Sequence, residues 1–222
     1  MRKYIVFLLS CIFLMAISNA TYAILPLTPD NVLNKLIKGN TQFVQNHSEK
    51  INYLKQAKLS QKSQHPIAMV ISCIDARVPS DIIFNQHVGN IFVTRIAANV
   101  INKDVLAGLE YATQVVGAKL IVVLGHDDCG AVKGACRNVK LGNLTQLLNK
   151  VQPAIQQATQ HFGKKECDHE KFINWAAKDN VRHVVAMIPQ QSIVIQKLIQ
   201  SGKVKVIGAM YHLKTGKVTF FN

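Results

Sequence analysis

Acidic residues are scarce in this sequence: 12 Asp and Glu stand against 26 Lys and Arg in 222 residues, a formal charge of +14. Such a balance would suit a nucleic acid or an anionic membrane as partner. However, the lysines are spread from Lys35 to Lys217 with no dense run, and aromatic residues (7 % of the chain) seldom interleave them. A scattered basic surface is the better reading, and no nucleic-acid partner is expected. Charge as a whole is sparse, 17 % against 49 % hydrophobic, which excludes a disordered chain. Internal repeats, low-complexity blocks and shifts of composition are missing, so nothing marks a second domain. No apolar run reaches the ~20 residues of a membrane-spanning helix.

The longest apolar run, Tyr4 to Ile17, is broken only by Ser10, follows Arg2 and Lys3, and precedes small residues at Ala20 and Ala23. These are the parts of a secretory signal peptide. The reading is therefore a signal over residues 1–23 and one domain over residues 24–222, exported to the periplasm of a Gram-negative cell or secreted. Cleavage after Ala20 or Ala23 would leave no stable membrane span and a charge of about +12, since two positives and no acids are removed. An uncleaved anchor, or lipidation at Cys11 in Leu8-Leu9-Ser10-Cys11, are the alternatives.

Cysteine is also sparse, with five in all. Cys11 leaves with the signal. Cys73 and Cys129 each sit in a chemically rich motif. Cys136 and Cys167 remain, either a pair available for a disulfide in an oxidising compartment or two unrelated thiols.

Along the chain, Thr28-Pro29-Asp30 is a helix start, with Val32, Leu33, Leu36 and Ile37 at helical spacing behind it. Ile67 to Ile71, Ile91 to Ile96, Leu120 to Leu124 and Val204 to Ala209 are short apolar runs that suit strands buried on both faces. Helical patterns alternate with them: Asp104 to Val116, a stretch through Leu147, Leu148, Val151, Ile155 and Ala158, another from Phe172 to Val185, and Ile193 to Ile199. Thr215-Gly216 turns the chain into a last strand, Lys217 to Phe221. The expected fold is α/β: a mainly parallel four-stranded sheet with an added C-terminal edge strand, flanked by helices and carrying an N-terminal helical arm.

Two motifs follow strands. Cys73-Ile74-Asp75-Ala76-Arg77 follows the first, and His126-Asp127-Asp128-Cys129 the third. Parallel sheets place their ligands beyond the carboxyl ends of the strands, so the motifs meet at one edge. Spacing by two puts Cys73, Asp75 and Arg77 on one side if the chain stays extended. Cys129 falls at a helix start, which favours a thiolate. Two thiolates and an imidazole suit Zn²⁺, with a fourth position open for water. Asp75, kept ionised by Arg77, either orients that water or takes the fourth position itself and closes the site. Single residues here would carry little: Cys73 alone suits a buried apolar residue, and His126 alone a structural histidine.

These motifs, with Gly125 and Gly130 flanking the second, resemble those of the β-class carbonic anhydrases, and the likeness runs from about Thr28 to Phe221. The plant-like subgroup is the nearer match. The resemblance implies reversible hydration of carbon dioxide to bicarbonate and a proton by zinc-bound hydroxide. Cys73, His126 and Cys129 would hold one zinc per chain. Asp75 and Arg77 would act as the catalytic pair. Gln64, Phe92 and Tyr111 would contact substrate. It also implies a homodimer or tetramer. Ile74 stands where the family usually has Ser, and Ala97 in Arg95-Ile96-Ala97-Ala98-Asn99 points to a wider pocket. Val70 replaces the tryptophan of a bicarbonate-regulated subgroup, so an open site is expected. The alternatives are the same zinc fold acting on carbon disulfide or carbonyl sulfide, or a non-catalytic zinc-binding module. His65, His87 and Cys167-Asp168-His169-Glu170 are read as exposed structural groups, the last as a helix start.

Overall fold

The computed structural model describes residues 27–47 and 52–221. The signal segment, with Cys11, Ala20 and Ala23, lies outside the described residues.

The chain opens with α1 (Pro29–Val44), whose Thr28 side chain accepts from the Asn31 N–H and whose proline occupies the first turn. Helix α2 (Tyr53–Ser60) follows, capped by Asn52. Among the described residues, five strands then form one sheet: β1 (Ala68–Ser72), β2 (Ile91–Arg95), β3 (Leu120–His126), β4 (Lys205–Tyr211) and β5 (Val218–Phe221). Their order is β2-β1-β3-β4-β5. All neighbours run parallel except β4 and β5, which pair antiparallel as an edge hairpin. This is the expected mixed sheet.

Between the strands lie the short α3 (Ser80–Ile83), α4 (Lys103–Glu110), α5 (Gly130–Cys136), α6 (Gly142–Asn149), α7 (Gln152–Phe162), α8 (Glu170–Gln191) and α9 (Ile193–Gln200). No helix among the described residues is long and apolar enough to cross a membrane.

Both sheet faces are covered, which is why β1 and β3 are apolar without alternation. On one face, Met69, Ile71, Ile121 and Val123 pack with Phe172, Ile173, Ala176, Val181 and Ile188 of α8. On the other, Ala68, Val70, Leu120, Val122 and Leu124 pack with Val32 and Leu36 of α1 and with Phe84. The N-terminal helical region thus covers its own sheet.

Two helical patterns resolve differently from the sequence reading. The stretch from Asp104 to Val116 is not one α-helix: α4 gives way to a π-helical turn at Tyr111–Val115. There the Thr113 hydroxyl donates to the Leu109 carbonyl at 2.7 Å, competing with the helix's own ladder. The pattern from Leu147 to Ala158 divides into α6 and α7, because Pro153 can enter a helix only in its first turn.

Cys136 and Cys167 form a disulfide, with Cα atoms 5.5 Å apart. It ties the end of α5 to the segment before α8. The Cys167–Glu170 stretch is a helix start as expected, with His169 at the cap and Asp168 beside it, paired with Arg137.

Candidate metal centre

Cys73 follows the end of β1, His126 ends β3, and Cys129 caps α5. Adjacent parallel strands deliver the first two side by side, with Ser72 in register with Leu124. The chain leaving His126 turns at Asp128, whose φ of 56° is left-handed, and so returns Cys129 toward the site. The ligand atoms of Cys73, His126 and Cys129 all lie within 4.8 Å of one another. The three residues are 3 %, 1 % and 2 % exposed.

His126 is oriented for coordination. Its Nδ1 donates to the Asp127 carbonyl at 2.8 Å. Its Nε2 is buried with no hydrogen-bond partner. A buried ring nitrogen without a partner is costly unless something else fills that direction. A metal ion fits this donor set: one imidazole nitrogen and two sulfurs facing a common point.

One of the two sulfurs is predisposed to lose its proton. Cys73 and Cys129 lie 4.0 Å apart, Sγ to Sγ. The Cys73 thiol is lowered to about 4, chiefly because Cys129 hydrogen-bonds its thiolate, against the opposing effect of burial. Cys129 is correspondingly pushed up, first by that same bond to Cys73 and then by burial. One proton therefore serves the pair, and a bound cation would replace it. Burial acts to lower the His126 pKa, but Cys73, the Asp127 carbonyl and Asp75 together outweigh it and raise it.

The extended reading of Cys73 to Arg77 is corrected by the structure. The Val78 N–H donates to the Asp75 carbonyl at 2.9 Å, so the chain turns there. That turn brings Arg77 back onto Asp75. Arg77 Nε donates to Oδ1 at 2.9 Å and Nη2 to Oδ2 at 2.7 Å. The Asp75 carboxyl is held well below the usual carboxylate range, mainly by this pair of bonds. Asp75 Oδ2 lies 3.8 Å from His126 Nε2, beside the open direction of the ring.

Sequence reading missed Arg95. From the end of β2 it donates to the Cys73 carbonyl at 3.2 Å and to the Asp75 carbonyl at 2.6 Å. It fixes the loop that carries both residues. The only sequence signal was its place at the end of a strand run, which says nothing about reach to the loop after a neighbouring strand.

A cavity of about 550 Å³ opens beside this group, lined by Cys73, Ile74, Asp75, Ala97, Lys133 and Arg137 among others. Gln64 does not line it. Gln64 lies in a separate surface cavity with Ser60, His65 and His87. Phe92 and Tyr111 pack their rings 6.1 Å apart and are likewise not among the residues lining the cavity over Cys73. Within one chain, then, Cys73, His126, Cys129, Asp75 and Arg77 are brought together, while Gln64, Phe92 and Tyr111 line other surfaces.

With this geometry in view, the carbonic anhydrase family model matches residues 68–218. The chain belongs to the β-class carbonic anhydrases. This family member is 32 % identical to carbonic anhydrase 2 of Mycobacterium tuberculosis over 191 residues, covering 82 % of this chain and 87 % of that one. It is 35 % identical to a carbonic anhydrase of Mycolicibacterium smegmatis over 189 residues, covering 81 % and 87 %. Among solved structures, the β-carbonic anhydrase CcaA superposes with a TM-score of 0.70 at 25 % identity, over 86 % of this chain and 95 % of that one. Tetrameric β-carbonic anhydrases of Sordaria macrospora share the fold, with a TM-score of 0.68 at 22 % identity over 86 % and 98 %.

Proposed function

We propose that this β-carbonic anhydrase uses zinc to interconvert carbon dioxide and bicarbonate. The observation that carries the reading is the meeting of Cys73, His126 and Cys129 beside an Asp75 carboxylate that Arg77 keeps ionised. Two thiolates and an imidazole favour zinc among common metals. Zinc, when bound, supplies the Lewis acidity that makes water a nucleophile near neutral pH.

The chain's own groups have distinct tasks. Cys73, His126 and Cys129 would hold the metal. Asp75 accepts a hydrogen bond from water in the cavity and so aims a lone pair at carbon dioxide. Arg77 keeps Asp75 charged and turned toward itself, which favours the open form of the site over one in which Asp75 is a fourth ligand. Apolar Ile74 and Ala97 in the cavity wall suit an uncharged substrate, while Lys133 and Arg137 suit an anionic product.

A homodimer or tetramer belongs to this proposal. If Gln64, Phe92 and Tyr111 contact substrate, they must do so at a second copy's cavity, since they do not line their own. Exposed Ile74 and Val139 line the cavity and would be covered by such a copy. Export through the N-terminal signal is likewise proposed. Mass spectrometry of the protein recovered outside the cytoplasm would show cleavage at Ala20 or Ala23, or a lipid at Cys11.

Stopped-flow measurement of carbon dioxide hydration, with and without a zinc chelator, tests the central reading. Chelator-sensitive hydration with one zinc per chain is expected. A chain that holds one zinc and hydrates no carbon dioxide would refute it and turn attention to another small substrate.

A further inference from the structure

We infer that His212 and Asn174 are positioning residues for the metal centre, because together they clamp the peptide that orients His126. The inference rests on the metal reading of Cys73, His126 and Cys129.

The Asp127–Asp128 peptide is one rigid plane. Its carbonyl accepts from His126 Nδ1 at 2.8 Å, and its N–H donates to Asn174 Oδ1 at 2.8 Å. Asn174 lies on α8, and its own amide nitrogen donates to Glu170 Oε1 at 3.4 Å, which selects the flip that faces oxygen toward Asp128. The residue before the plane is held as well. Asp127 Oδ2 accepts from His212 Nδ1 at 3.0 Å, and His212 Nε2 meets Thr219 Oγ1 at 3.0 Å. A ring with its proton on Nδ1 satisfies both: it donates to the carboxylate and accepts from the threonine hydroxyl.

The anchors come from two different elements. His212 begins the β4–β5 hairpin, where its N–H donates to the Lys217 carbonyl at 2.9 Å and its carbonyl accepts from Thr215 and Gly216. Asn174 belongs to the helix that covers one face of the sheet. The clamped peptide lies between two of the three candidate ligands, His126 and Cys129. It also precedes the left-handed turn at Asp128, a conformation that persists in a non-glycine residue only when its surroundings impose it. A tilt of this plane would turn the His126 ring and displace Cys129 together. Groups that orient a metal-ligating histidine through its second nitrogen commonly change metal affinity by 10–100-fold when lost. His212 and Asn174 act one bond further out, so a loss near the low end is expected.

The test uses the zinc-loaded full chain and reads zinc transfer to a chelating dye, the visible spectrum of the cobalt-substituted protein, and melting of the metal-free protein. His212→Ala and Asn174→Ala should each speed zinc release about tenfold and alter the cobalt spectrum, with metal-free melting within a few degrees of wild type. Because both hold one peptide, the double variant should release zinc more slowly than the product of the two effects predicts. His212→Asn places an amide nitrogen where Nδ1 was and should restore slow release. Thr219→Val, at an exposed strand position, loosens the same ring without touching the hairpin turn and should speed release about twofold; it serves if His212→Ala fails to fold. Wild-type release rates in His212→Ala and Asn174→Ala overturn the inference, as do fully multiplicative effects or a His212→Asn variant as leaky as His212→Ala. A wild-type chain that takes up no zinc overturns the metal reading itself and the inference with it.

Discussion

Arg77 holds both carboxylate oxygens of Asp75, with Nε 2.9 Å from Oδ1 and Nη2 2.7 Å from Oδ2, and its backbone N–H adds a third bond to Oδ1 at 3.0 Å. Two residues apart in sequence, they form a closed ring through the turn at Val78. The carboxylate is thereby fixed in charge and direction beside the candidate metal ligands.

Asp75→Asn tests that arrangement directly. The amide keeps the shape and leaves Cys73, His126 and Cys129 intact. Zinc content should stay at one per chain while kcat for carbon dioxide hydration falls on the order of 10²-fold. Full activity in this variant would refute the orienting role.

The pH dependence of Asp75 has a definite sign. Its folded pKa is depressed, so the stability contributed by the pair is fully present above the unfolded value and is lost as pH falls through the folded one. The unfolded value is about 3.9. Asp75 should therefore stay ionised as pH falls from about 6 to about 3, past the ordinary carboxylate value. Carboxyl-carbon NMR should show no Asp75 titration across that window in wild type, and one moving up into it in Arg77→Ala. A wild-type midpoint inside the window would contradict the two-pronged contact.

Cys129→Ala removes one of two sulfurs at a cap position where the cysteine side chain makes no capping hydrogen bond. Zinc retained after dialysis should drop to roughly a tenth of the wild-type amount. Stoichiometric zinc in the variant would show that Cys129 is no ligand.

The disulfide closes a separation of 31 residues. Loop-closure entropy for that length corresponds to about 3–4 kcal/mol. Urea unfolding of the Cys136→Ser, Cys167→Ser double variant should show a loss of this order. A change under about 1 kcal/mol would mean that α5 and α8 are already held by packing alone.

Gly125 sits one residue before His126 with α8 pressed against it. A Cβ built there would lie 2.6 Å from Val181 Cγ2 and 2.8 Å from Met210 Sδ. Gly125→Ala should cost about 1–3 kcal/mol of stability, read by thermal or urea unfolding. Unchanged stability would show that α8 can withdraw from the sheet without loss.

Much of the fold was legible because it rests on local pattern. The apolar runs containing Val70 and Val122 are continuous since both sheet faces are covered, and each strand appeared within a residue or two of its place. Cys73, His126 and Cys129 could be grouped from two strand ends, a helix start and their side-chain chemistry. Less legible was anything set by a bond between distant or competing groups. The turn at Asp75 depends on one backbone bond to Val78, and the π-helical turn on a hydroxyl competing with the helix ladder. Arg95 reaches the Cys73 loop from a neighbouring strand, a relation that periodicity cannot express.

The sequence by itself determined the α/β pattern, the two strand-end motifs and their chemistry, because residue type and local spacing carry that information. Only the tertiary structure decided that Arg95 reaches the Cys73 loop, that Gln64 lies away from the cavity of its own chain, and that His212 reaches Asp127 across 85 positions. The physical reason is common to all three. Such contacts are made by side chains of elements that meet only after the sheet has assembled and its turns have closed, so no spacing along the chain encodes them.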